Sequence, residues 1–148
     1  MEKRKESRSD VQTKLELEIA KRLGLEKEEQ FIGDIKLIFD GVKKKNEEVT
    51  EIYEIYCGIE KLKSAQKQKI ANDLLKMLLF EKLKNKEFEK KIVVVDENIK
   101  DFLSKEKHKT WLNQVIDGFN VKIELYKISY EQRKEIKEAK KNQNLMQK

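Results

Sequence analysis

FIGDIKLIFDGVKKKNEEVTEIYEIYCGIEKLKSAQKQKIANDLLK, residues 31–76, reads as strand, turn, strand, loop and helix. In the first strand, 31–42, Ile35, Leu37 and Phe39 share one face, and Ile38 and Asp40 share the other. KKKNEE, 43–48, is a polar hairpin connection. In the second strand, 49–57, Ile52, Glu54 and Tyr56 point to one side, with Val49, Tyr53 and Ile55 opposite. An acidic side chain inside an apolar β segment is costly unless it binds something. Asp40 in IFDG and Glu54 in IYEIYCG are therefore the first candidates for function.

Two readings of this pair stand at this point. If the strands form a hairpin, Asp40 and Glu54 lie on one face of neighbouring strands. Two carboxylates that close repel unless a cation sits between them, and a hard divalent ion suits oxygen ligands. Alternatively, both sit at frayed strand ends in water. The helix that follows, 64–84, has an inner line of Ile70, Leu74, Met77, Leu78 and Glu81. Gln66, Lys69, Asp73 and Lys76 form a stripe along the edge of that line. The same spacings also suit a plain salt-bridge ladder, Lys69–Asp73 and Asp73–Lys76.

Upstream, 10–22 reads as a helix with Asp10 as N-cap and Gly24 as its stop. Val11, Leu15, Ile19 and Leu23 mark its inner face, and Glu16 borders it. Glu16 either belongs to the acidic site or simply edges the core and reaches water. Downstream, KIVVVD, 91–96, is continuously apolar, as in the centre of a sheet covered by helices. Residues 97–117 are helical with a break near 105–109; Phe102, Trp111, Leu112, Val115 and Ile116 are expected to pack on the sheet. Residues 121–128 alternate like an edge strand. Ser129 and Gln132 form a capping box for a last basic helix, 130–145, that carries Arg133, Lys134, Lys137, Lys140 and Lys141. The order is α-β-β-α-β-α-β-α.

The chain has 148 residues, within the usual span of one domain. We expect a single domain over 10–148 behind a solvated, disordered basic arm, 1–9. Charged residues make up 42%, yet the apolar ones fall in dense blocks, so the pattern is globular. A net charge of +6 favours polyanionic partners, nucleic acid first. The lone Cys57 excludes an internal disulfide and fits a reducing, cytoplasmic setting. His108, the single histidine, sits among lysines and reads as a surface residue; one histidine and one cysteine cannot build a zinc site. There is no glycine-rich phosphate loop, no apolar run of membrane-spanning length, and no apolar core in MEKRKESRSD for a signal peptide.

With an acid on each of two successive strands and another on the first helix, the chain resembles the PD-(D/E)XK, restriction-endonuclease-like nucleases over about residues 10–128. The resemblance implies a mixed sheet of about four strands sandwiched by helices. It implies that Asp40 and Glu54 hold Mg²⁺ or Mn²⁺, that Glu16 is the first-helix acid, and that the substrate is DNA. The motif lysine, two residues after Glu54, is replaced by Tyr56. Some members of that superfamily supply the lysine from the following helix. Lys69 is the expected substitute, with Gln66 beside it to bind the attacking water or a phosphate oxygen; Lys67 is the rival. The expected activity is phosphodiester hydrolysis, with a homodimer favoured where both strands are cut. The alternative is a catalytically degenerate member that binds nucleic acid or protein.

Overall fold

The computed structural model of the protein describes residues 8–104 and 110–146. The first described element is helix α1 (Arg8–Arg22), which already includes Arg8, so Asp10 lies in its first turn and not at its cap. Gly24 adopts φ +69° and ends the helix as expected, with the Leu25 N–H donating to the Ala20 carbonyl at 2.9 Å.

The expected single strand over 31–42 is three segments. Strands β1 (Glu29–Ile32) and β2 (Ile35–Ile38) form an antiparallel hairpin, turning at Gly33–Asp34 with Gly33 at φ +58°. Phe39 and Asp40 then cross to β3 (Gly41–Lys45). The two-residue Gly-Asp turn was the missed signal. The expected loop 43–48 also shrinks. Lys43, Lys44 and Lys45 belong to β3, and the turn into β4 (Glu48–Tyr56) is Asn46–Glu47, both at positive φ as a tight hairpin requires.

Helix α2 (Ser64–Lys84) returns the chain to β5 (Glu89–Val94), and α3 (Glu97–Leu103) and α4 (Trp111–Gly118) lead to β6 (Val121–Leu125) and α5 (Tyr130–Met146). The main sheet has the order β3-β4-β5-β6, with β3 antiparallel to β4 and the other neighbours parallel. It is a mixed α/β sheet with helices on both faces. Val11, Leu15 and Ile19 of α1 and Ile136 and Ala139 of α5 pack on Tyr53, Ile55, Val93 and Val95. On the opposite face α2, α3 and α4 cover Ile52, Tyr56, Ile92 and Val94. The KIVVVD strand is interior, as its unbroken apolar run requires, and Val121–Leu125 is the edge. Glu81 does face inward, because the buried Lys90 ammonium meets both its oxygens at 2.8 Å. The Ser129–Gln132 capping box is present in both directions, at 3.0 and 3.1 Å. The expected arm, 1–9, is shortened, because Arg8 and Ser9 already belong to α1; its residues 1–7, His108 and the break at 105–109 fall outside the described residues.

Trp111 is a correction. It is 68% exposed, not core. The Thr110–Asn113 capping box sets the start of α4, and Asn113 is pinned inward by donating to the Phe102 carbonyl at 2.7 Å. That orientation buries Leu112 and Ile116 and turns Trp111, one residue earlier, to solvent. Trp111→Ala should therefore shift stability by no more than about 0.5 kcal/mol, measured by urea denaturation. The wild-type tryptophan should emit like an indole in water; a blue-shifted maximum would contradict this placement.

Candidate active site

Three constraints of the fold bring acids together at the β3 margin of the sheet. In the β3–β4 ladder Gly41 faces Tyr53, so Asp40, one residue before β3 begins, stands beside Glu54. The Ile55 N–H lies beyond the end of β3 and lacks a strand partner there. The Asp40 Oδ2 accepts it at 2.8 Å, which satisfies an otherwise orphaned donor. The inward stripe of α1 places Glu16 next to the buried Leu15, on the α1 side of the same margin. On the other face α2 buries Ile70, Leu74, Met77 and Phe80. Asp73 and Lys76 flank that line, and the Lys76 ammonium lies 5.2 Å from the centre of the Phe39 ring.

Glu54 is 4% exposed. Burial first, then the neighbouring Asp40 and Asp73 charges and a hydrogen bond with Asp40, push its pKa up to about 9; Lys76 only partly offsets them. Near neutral pH Glu54 therefore keeps its proton. The Lys76 Nζ sits 2.5 Å from Glu54 Oε1 without hydrogen-bond alignment, and 3.9 Å from Asp73 Oδ1. Burial also raises Glu16 to about 7, assisted by Asp40 and opposed by Lys69. Asp73 rises to about 6 through burial, against the pull of Lys76. Cys57 lies on the α1 side, where burial and then Glu16 and Asp40 drive its thiol well above its usual range, so it is an inert neutral group.

Four carboxylates thus converge from α1, the 39–40 crossing, β4 and α2, with two lysines. Among the described residues no three of His, Cys, Asp or Glu enclose a metal position. Mg²⁺ does not demand such a cage; it commonly takes one or two carboxylates and fills its octahedron with water and phosphate oxygens. Asp40 and Glu54 match that donor set, and a cation there would displace the proton Glu54 holds.

Of the residues singled out from the sequence, Glu16, Asp40 and Glu54 are brought together. Gln66 is committed elsewhere: its Oε1 accepts the Lys63 N–H at 2.7 Å and caps α2. Lys69 is exposed and acts on Glu16 and Asp73 through charge, while a different lysine contacts Glu54. Lys67 lies 4.8 Å from the centre of the Phe102 ring. Tyr56 is core, and its ring runs against Gly58, where any Cβ would collide with the phenol. Lys76 and Asp73 were visible only as members of the helix stripe. The deciding signal is direction: α2 runs back antiparallel to β4, so its later turns and not its first lie over the strand. Glu54 consequently meets Lys76, about three turns into α2.

No protein-family model matches the chain, and no curated protein or solved structure matches it either.

Proposed function

We propose that the protein is a Mg²⁺- or Mn²⁺-dependent nuclease of the PD-(D/E)XK type that hydrolyses DNA phosphodiester bonds. The observation that carries this reading is that Glu54 meets both Asp40 and Lys76 at one sheet margin. An acid–acid–lysine set is thereby assembled although Tyr56 occupies the motif's lysine position. The four-stranded mixed sheet between helix layers supports the same reading, as it is the arrangement that the resemblance implies.

Asp40 and Glu54 would hold the cation, which supplies polarisation of the scissile phosphate and a more acidic bound water. Asp40 is pre-oriented by the Ile55 N–H. Lys76 takes the role assigned to Lys69 from the sequence, offsetting negative charge as it develops on the phosphoryl oxygens. Glu16, with a pKa near 7, can take a proton from water at neutral pH. Cutting both strands of a duplex would take two copies of this site, hence a homodimer.

One observation favours a second reading, a non-cleaving nucleic-acid-binding module. The Lys76 ammonium stands against Glu54, where it can act as a permanent cation in place of a metal. Supercoiled-plasmid nicking separates the two. Nicking in Mg²⁺ or Mn²⁺ that stops in EDTA is expected. Duplex retention without nicking in either metal would establish the binding module, and nicking that persists in EDTA would remove the metal mechanism.

No described helix is long and apolar enough to cross a membrane.

A further inference from the structure

Glu60 sits in the loop between β4 and α2 with φ +75°. Of the other non-glycine residues at positive φ, Asn46 and Glu47 close a hairpin, Asn85 caps α2, and Asn120 links α4 to β6. Left-handed backbone disfavours a residue with a Cβ and long side chain, so something must hold Glu60 there. The holder is Asp96, which is 1% exposed. Its Oδ2 accepts the Glu60 N–H at 3.0 Å and meets the Arg133 guanidinium of α5 at 2.8 Å. Its Oδ1 accepts the Asn98 and Ile99 N–H groups at 2.8 and 3.2 Å, capping α3. One buried carboxylate thus locks together the end of β5, the β4–α2 loop, α3 and α5.

Locked in this way, the Glu60 side chain is delivered to α5. Its two oxygens lie 3.5 Å from the Lys137 ammonium and 3.8 Å from that of Lys140. A carboxylate bridging two ammonium groups occupies the geometry that the two free oxygens of a phosphodiester would fill. The surroundings carry a basic excess: Lys61 and Lys63 follow on the same loop, and Lys134 and Lys141 lie exposed on α5, interleaved with Glu131, Glu135 and Glu138. Glu60 lies in the loop that leaves the end of β4, six residues after Glu54.

We propose that in the free protein Glu60 holds the place of a nucleic-acid backbone phosphate on Lys137 and Lys140, and that DNA binding exchanges one for the other. This rests on the reading of the protein as a DNA-acting nuclease, and adds a self-competing contact that tunes substrate entry. Exchange costs little, because an exposed carboxylate–lysine contact contributes only modestly, while each phosphate engaged releases condensed counterions.

The test is fluorescence anisotropy of a labelled 20-base-pair duplex in EDTA, across a salt series, so that binding is read without cleavage. Glu60→Gln should tighten binding by about two- to five-fold. Lys137→Ala with Lys140→Ala should weaken it and lower the salt slope by about two. Lys86→Ala, at the far end of β4 beside Glu48, should leave it unchanged. Unchanged or weaker binding by Glu60→Gln overturns the exchange, as does a Lys86→Ala loss equal to that of the double variant. Retention on phosphatidylserine vesicles but not on the duplex overturns it too. Nicking is scored separately in Mg²⁺. The expected ranking without any nicking leaves this surface standing and removes the nuclease; nicking without the ranking does the reverse.

Discussion

On the proposed nuclease reading, Lys76→Ala should lower metal-dependent plasmid nicking by about 10²–10³ while leaving the fold intact, the loss expected when one transition-state donor is removed. Its ammonium contacts Glu54, one of the two acids that would hold a metal. Removing one partner of a buried charged pair usually destabilises a protein, because a bare charge is left behind. Here Glu54 escapes that penalty by keeping its proton, since burial and Asp40 already hold its pKa near 9. A near-native urea midpoint beside lost activity is thus the expected pairing. Asp40→Ala and Glu54→Ala should lose at least as much activity. Lys69→Ala should be milder, since Lys69 acts on Glu16 and Asp73 through charge alone. Lys67→Ala, on the Phe102 side, should be close to wild type. Full activity in Lys76→Ala would withdraw the lysine assignment, and full activity in both acid variants would end the nuclease reading.

Stability should fall as pH rises from about 4 to 9, the reverse of ordinary acid denaturation. Glu54, Glu16 and Asp73 all have folded pKa values above their ordinary ones, near 9, 7 and 6. Between the ordinary and the raised value the folded protein binds more protons than the unfolded chain, so unfolding gains from each rise in pH. The contribution is complete below the ordinary carboxylate range and lost progressively above it. All three act up to about pH 6, Glu16 and Glu54 up to about 7, and Glu54 alone from there to about 9. Thermal melts at constant ionic strength measure the slope. Glu54→Gln should flatten it above pH 7, because a neutral amide has no proton to lose. Mg²⁺ should raise the melting temperature more at pH 8 than at pH 6, since it must displace the Glu54 proton. A slope in Glu54→Gln equal to that of wild type would show that Glu54 does not hold the proton.

Local chemistry carried much of this fold on its face. The four apolar residues of KIVVVD demanded cover on both sides, and Ile92–Val95 are interior. Ser129 and Gln132 could cap only a helix beginning next to them, and they do. Gly24 stopped α1 because only the left-handed backbone it tolerates closes that helix end. The acids Asp40 and Glu54 were conspicuous because carboxylates in apolar strands need a partner. What escaped was whatever depends on how elements face one another. Gly33–Asp34 divides the first predicted strand, so Asp40 joins β4 from a crossing and not from within a strand. Trp111 looked like core by residue type, yet a cap three residues wide rotates it into water. The lysine beside Glu54 is Lys76 and not Lys69, because stripe membership is a property of α2 alone. Which turn of that stripe meets Glu54 depends on the depth at which α2 lies across β4, and that is set by contacts such as Phe39 on Phe80, distant in sequence and formed only when the chain has packed.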